Sequence, residues 1–203
     1  MLMFHFFKQA KKTNPTLEEQ IHALLGLGIT FTDDTGTLIN NLLVHFDRES
    51  YEEDPFYLLL TITGADLLDE NENEIRMSYD VWCFDAECIE DENIYTMLLR
   101  HFVNLAKGEF PLENIESNLD FDEQEAEISF DLDGRHYNWI LEMNDDWVNI
   151  DLFKKLGKLA LKRNRDKQYI YFNDGQNLTF MYCDKIVLKK LNELTDKKFV
   201  SLA

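Results

Sequence analysis

Apolar and polar side chains alternate along residues 126–141 of this 203-residue chain, on both sides of Asp133 and Gly134. Successive side chains of a β-strand point to opposite faces, so an apolar residue at every second position indicates a strand with one apolar face. A two-residue turn containing glycine joins two such strands into a hairpin. A further strand over 115–121 would extend the hairpin to a three-stranded meander. The segment therefore predicts an antiparallel sheet with one buried face.

The rest of the chain combines strands with helices. A strand is predicted over 75–84, and a second hairpin over 168–172 and 178–183. Apolar residues three and four apart indicate helices elsewhere. These helices cover residues 17–26, 34–47, 55–63, 92–107 and 150–163 and a last segment after Asp184. The order predicts an α+β fold: a largely antiparallel sheet, built from the meander and the hairpin, packed with five to six helices.

The segment 55–63 is the ambiguous element of this pattern. Asp54 and Pro55 suit the start of a helix, and Gly64 stands where a helix-ending glycine belongs. The β-branched residues at 61–63 favour a strand instead. We predict a helix, with the strand as the alternative.

A chain of this length buries roughly 70% of its surface on folding, which suffices for a core without disulfide bonds. Residues 1–66 are predicted to form a helical segment packed on an α+β domain of residues 67–203, or the two form one continuous domain. Cys83, Cys88 and Cys183 are an odd number without a CxxC pair, so they indicate neither a disulfide framework nor a zinc site.

The first twelve residues place their lysines after a short apolar run, whereas a secretory signal has its cations before a longer one. No stretch reaches the ~18 apolar residues of a membrane-spanning helix. We therefore expect a soluble cytoplasmic protein. The apolar side chains at 1–7 are expected to pack on the core or on a partner rather than to enter a membrane interface.

The charge distribution is the extreme property of the sequence. The net charge is −19, and residues 51–150 hold 27 acidic but 4 basic side chains. Such a surface repels nucleic acids and anionic membranes and attracts basic proteins. The sequence therefore predicts a basic protein partner, no nucleic acid and no membrane, although an acidic surface can also serve solubility alone.

The basic residues concentrate in the C-terminal quarter, above all between Lys154 and Lys167. One interpretation is a solvated helix face that complements the helix dipole and the acidic middle of the same chain. Another is a patch that meets the acidic surface of a second subunit. The sequence does not predict an oligomeric state.

Catalytic motifs are missing from the sequence. The histidines and serines lack the spacings of metal sites and nucleophile elbows, and no glycine-rich phosphate loop is present. We therefore assign no catalytic residue, no metal ligand and no cofactor. The alternative is a metal-dependent enzyme at Asp85 and Glu87, helped by Glu90, since hard cations bind clustered carboxylates.

The candidate partner-binding residues are carboxylates that stand beside aromatic rings. Aromatic faces next to carboxylates suit the binding of a partner's Lys or Arg, because ring and charge attract the cation together. Ordinary core packing of the rings is the alternative. The candidates are Asp85, Glu87, Glu90, Asp91, Asp145, Asp146 and Trp147.

Three segments carry a resemblance to known proteins: DVWCFDAECIEDENIY (80–95), DLDGRHYNWILEMNDDWVN (131–149) and NDGQN (173–177). In their order they resemble a family of uncharacterised acidic bacterial cytosolic proteins, which implies a bacterial origin but no reaction. The chain is also similar in type to immunity proteins that neutralise secreted toxins. This likeness implies an inhibitor of a basic toxin such as a nuclease. The charge of the acidic face leaves a further alternative, which is mimicry of DNA against a DNA-binding protein.

Overall fold

A computed structural model describes residues 14–68, 74–195 and 198–203 of the chain. The expected packing of residues 1–7 lies outside these ranges. The helices are α1 (Leu17–Gly26), α2 (Thr35–His45), α3 (Arg48–Glu53), α4 (Tyr57–Gly64), α5 (Ile94–Asn104), α6 (Ile150–Arg163) and α7 (Lys185–Leu194). The strands are β1 (Leu67–Leu68), β2 (Glu74–Ile75), β3 (Val81–Asp85), β4 (Glu113–Asp120), β5 (Glu125–Leu132), β6 (Arg135–Glu142), β7 (Lys167–Asn173), β8 (Asn177–Asp184) and β9 (Val200–Ser201).

The strands pair antiparallel in three sheets within the described residues. A central sheet has the order β3-β8-β7-β9, the meander β4-β5-β6 forms a second sheet, and β1 pairs with β2. The predicted antiparallel α+β fold is confirmed, although the meander and the hairpin β7–β8 belong to separate sheets. The described residues form seven helices where five to six were predicted, because α3 is an additional short helix.

The central sheet is covered on both faces. Along β3 and β8 neighbouring side chains enter opposite cores: Trp82 and Phe180 join a larger core, whereas Val81 and Met181 join a smaller one. The larger core also holds the buried side chains of α5, α6 and the meander. The smaller core holds those of α1, α2, α4 and α7. The N-terminal helices thus share a core with strands from the C-terminal half.

The helix predicted over 55–63 is confirmed as α4, and the strand alternative is wrong. The Asp-Pro pair at 54–55 does not begin it, because Phe56 is the N-cap with a left-handed φ of 70°. The backbone N–H of Phe56 donates to Oε1 of buried Gln20 on α1 at 2.7 Å. This bond satisfies a buried donor at a position where a non-glycine residue is strained.

The meander buries one face and exposes the other. In β5 every second side chain from Ala126 to Leu132 is buried in the larger core. Asp133 and Gly134 have φ of 52° and 73°, which is the geometry of the two-residue hairpin turn predicted from the sequence. From this turn β5 and β6 pair in unbroken register to the far end of both strands.

Gly64 stands where α4 approaches β3. A Cβ atom at this position lies 2.9 Å from Val81 Cγ1 and 3.0 Å from the backbone nitrogen of Cys83. Gly64 is itself the last helical residue, so close packing rather than a special turn requires glycine here.

We expect Gly64→Ala to lower the free energy of unfolding by about 1–3 kcal/mol, because the added methyl group overpacks a junction lined by backbone atoms. Gly26→Ala is the matched control, since a Cβ atom there meets nothing within 4 Å. Urea unfolding followed by tryptophan fluorescence compares the two variants. Equal stability would contradict this role of Gly64.

Candidate partner-binding surface

The predicted binding residues after β3 and after β6 come together through backbone pairing. Glu87 and Trp147 form an antiparallel bridge. On either side of it, the Ile89 N–H donates to the Asp146 carbonyl and the Val148 N–H to the Ala86 carbonyl, both at 2.8 Å. Residues 85–89 and 144–148, hereafter the paired loops, are therefore neighbours in the fold.

The turn between β7 and β8 holds the first of these loops. Gln176 accepts the Ala86 N–H through its carbonyl at 2.7 Å. Its side-chain Nε2 lies 2.5 Å from Asp85 Oδ1 and 3.3 Å from Glu87 Oε2. One amide group thus binds both carboxylates and holds them side by side at the end of β3.

Asp145 is fixed from the turn between β4 and β5. Its φ is 50°, and its N–H donates to Oε1 of Gln124 at 3.1 Å. The backbone carbonyl of Gln124 accepts the Met143 N–H at 2.7 Å. Gln124 therefore joins the second loop to the meander through both its backbone and its side chain.

Glu90 and Asp91 continue the chain from the paired loops towards α5, which begins at Ile94 rather than at residue 92. Asp91 Oδ1 accepts the Asn93 N–H at 2.7 Å, which stabilises this turn. Among the seven predicted residues the structure leaves five exposed and two half-buried. The exposed ones are Asp85, Glu87, Glu90, Asp91 and Asp145, and the half-buried ones are Asp146 and Trp147.

The tryptophan rings pack mainly against the larger core. Trp82 is fully buried, and Trp147 packs against the larger core. Trp139 on β6 lies edge-on to Phe130, with Lys155 Nζ 5.4 Å from its ring centroid. The cation over Trp139 is therefore supplied by the chain itself rather than by a partner.

The solvent-facing side of the meander, hereafter the outer face, carries acidic residues that are not among the seven predicted ones. Asp120, Glu125 and Glu142 are directly opposite one another across β4, β5 and β6 and are exposed. This acidic row is continuous with the paired loops, because Glu142 precedes residue 144 by two positions. Like charges in direct cross-strand register repel, so the row is costly in the free protein.

The centre of the outer face combines charge with an apolar side chain. Glu127 on β5 is flanked by Asn118 and Ile140 in the register, and the Ile140 side chain is 64% exposed. Further along, Asn114 Nδ2 and His136 Nδ1 lie 2.6 Å and 2.9 Å from the Asp131 carboxylate. These contacts lower the pKa of Asp131. In the acidic row, Asp120 Oδ1 accepts the N–H groups of Asp122 and Glu123 at 3.0 and 2.9 Å.

The cations between Lys154 and Lys167 pair with carboxylates outside the acidic row. Arg163 pairs with Asp133 at the tip of the hairpin, and Lys167 pairs with Glu109. Among the described ion pairs, none includes a carboxylate of the acidic row or of the seven predicted residues. The C-terminal cations therefore leave this surface negative.

Metal-ligating clusters and membrane-spanning helices are both missing from the described ranges. No three His, Cys, Asp or Glu side chains are grouped there to hold a metal ion. Asp85 and Glu87, the residues of the alternative enzyme site, share the amide of Gln176 instead. Of the helices in the described ranges, none has the length and apolar character needed to cross a membrane.

A scan with protein-family models, a search of curated proteins and a search of solved structures each find no match to the chain. The resemblance to acidic bacterial cytosolic proteins and to immunity proteins stays a prediction.

Cys88 lies within the first of the paired loops and is half-buried. Burial, together with the negative charges of Asp85 and Glu90, raises the pKa of its thiol to about 12. Burial likewise raises the pKa of Cys83 to about 11 and that of Cys183 to about 12. The native protein keeps these protons, whereas the unfolded chain loses them above the usual pKa of 9.0.

We therefore expect the free energy of unfolding to fall as the pH rises from about 9 to 12, because only the unfolded thiols ionise in this window. At pH 8 the native thiols should react with iodoacetamide at least ~100-fold more slowly than in urea, since the thiolate is the nucleophile. Mass spectrometry after timed labelling measures both rates. Labelling of native Cys88 as fast as in urea would contradict the buried environment.

Proposed function

We propose that the chain is a binding protein: a cytoplasmic immunity protein that neutralises a basic bacterial toxin, such as a nuclease, by covering its cationic surface. The observation that carries the proposal is the unpaired acidic row Asp120, Glu125 and Glu142, continuous with the carboxylates of the paired loops. A toxin that binds phosphates is cationic, so an acidic surface matches the site that it must block.

The arrangement suits fast association. In water, two unit charges ~10 Å apart gain only about 0.4 kcal/mol, so steering requires many carboxylates on one surface. Slow dissociation requires apolar burial as well. Ile140 in the outer face and Phe121 in the neighbouring turn, 64% and 43% exposed, supply apolar area beside the charges.

Cysteine chemistry supports the cytoplasmic part of the proposal. All three cysteines are free, and free thiols persist in a reducing compartment. A toxin inhibitor acts there, since it protects the cell that carries it.

The test compares two charge-reversal variants of equal net charge. Glu125→Lys with Glu142→Lys alters the acidic row, and Glu49→Lys with Glu53→Lys alters exposed positions on α3. The ligand is a basic domain to be identified in the reading frame next to the gene, and a neighbouring frame without such a domain would itself count against the proposal. Surface plasmon resonance at 50 and 300 mM NaCl measures association rates, and a growth assay with the co-expressed domain measures protection.

We expect the row variant to associate at least tenfold more slowly at low salt, to lose part of its salt dependence and to protect poorly. The α3 variant should stay within about twofold of the unaltered protein, since its charge change lies elsewhere. Equal loss in both variants would mean that net charge alone matters. Unaltered protection by the row variant would refute the proposed surface.

A further inference from the structure

The outward edge of β6 has unused backbone hydrogen-bonding groups. Because Leu132 and Arg135 flank a two-residue turn, they exchange hydrogen bonds with each other, and every second residue of β6 from Arg135 onwards bonds to β5. The alternate residues His136, Asn138 and Ile140 therefore direct their N–H and C=O groups away from β5. Within the described residues, no other backbone hydrogen bond reaches these three.

Two hydrogen bonds at the end of the strand agree with this alternation. The Met143 N–H donates to Gln124 on the β5 side at 2.7 Å. The Glu142 carbonyl faces the other way and accepts Asn149 Nδ2 at 2.8 Å. The open edge thus runs from the turn to Ile140 and is closed by Asn149 at its end.

The opposite edge of the meander is protected. The register of β4 shifts between Glu113 and Glu116, and Asn114 there has a φ of 50°. Ser117 Oγ of β4 contacts Thr96 Oγ1 of α5 at 3.0 Å, so a helix lies along that strand. Bulges and covering helices are common means of preventing edge pairing. The β5–β6 register has no bulge, and among the described backbone hydrogen bonds none reaches the outward groups of residues 136, 138 and 140.

The side chains beside the open edge favour cations. The residues of β6 with outward backbone groups also place their side chains on the outer face, where Ile140 adjoins Glu127 and Glu142 adjoins Glu125. A strand added to β6 would place alternate side chains on the same face. Lysine or arginine at those positions would lie beside β6, about 10 Å or two strand spacings from the β5 carboxylates, a distance that their long side chains help to span.

We infer that β6 is a docking edge to which an extended segment of the basic partner adds as a fourth strand of the meander, with Lys or Arg at alternate positions. Backbone hydrogen bonds to His136, Asn138 and Ile140 supply the pairing, and the carboxylates of the outer face select the side chains. This inference rests on the proposed function, because it takes the partner to be basic.

The test uses two synthetic peptides of eight residues as probes: alternating lysine and valine, hereafter the valine peptide, and alternating valine and lysine methylated on its backbone nitrogen, hereafter the N-methyl peptide. Their charges are equal, but in an antiparallel strand whose lysines lie on the outer face the lysine N–H groups point at β6, and the N-methyl peptide lacks these groups. Amide hydrogen exchange of the ¹⁵N-labelled protein is followed by NMR with each peptide. We expect the valine peptide to slow exchange at least tenfold at residues 136, 138 and 140.

Residues 137, 139 and 141 are the internal control, because β5 already protects their amides in the free protein. The N-methyl peptide should leave residues 136, 138 and 140 unprotected. If both peptides bind equally without protecting these amides, strand addition is refuted while a charged partner surface stands. If neither binds, both proposals fail. Protection that grows with protein concentration alone would mean that a second copy of the chain occupies the edge, which also refutes the inference.

Two variants at Asn138 distinguish the contribution of its backbone N–H to peptide binding from that of its side chain. Asn138→Pro removes an outward N–H, and Asn138→Ala keeps it while removing the contact of Asn138 Nδ2 with Glu127. We expect the first to weaken binding of the valine peptide at least tenfold and the second less than threefold. Equal affinities of the two variants would overturn the inference. Should Asn138→Pro unfold by circular dichroism, the exchange pattern of the unaltered protein decides the question.

Discussion

The two-sided burial of the central sheet is the constraint on which the other parts of the structure depend. Alternate side chains of β3 and β8 enter different cores, so helices must cover one face while α5, α6 and the meander cover the other. The meander is thereby fixed with its apolar side inward. Because a slip of one residue would reverse the two faces, burial of Ile128 and Phe130 also determines which carboxylates face solvent.

The stability of this packing permits an unfavourable surface. Three carboxylates in one cross-strand row repel each other by up to about 1 kcal/mol per directly opposed pair, and the described cations do not compensate them. The apolar side of the same strands offsets that repulsion. A basic partner would relieve it, so the feature that weakens the free protein is the one that would favour the complex.

Charge and backbone act together at β6. Carboxylates on a sheet face attract cations from many directions, whereas a row of N–H and C=O groups accepts a strand in a defined register. The paired loops are fixed by Gln124 and Gln176, whose side-chain amides bind backbone and carboxylate groups. The surface is therefore positioned by hydrogen bonds from two turns together with those of its own carboxylates, since Asp85 accepts the Glu87 N–H and Asp91 accepts the Asn93 N–H.

Local features were determined by the sequence itself. The turn at Asp133 and Gly134 sets the β5–β6 register, and with it the opposition of Glu125 and Glu142, while Asn149 marks the start of α6. Tertiary structure decided what lies far apart in the chain: the bridge between the paired loops and the close packing at Gly64. The spacing of apolar residues in the sequence indicates which side of a helix or strand is apolar. Which helices and strands contact one another is decided only when the two cores pack.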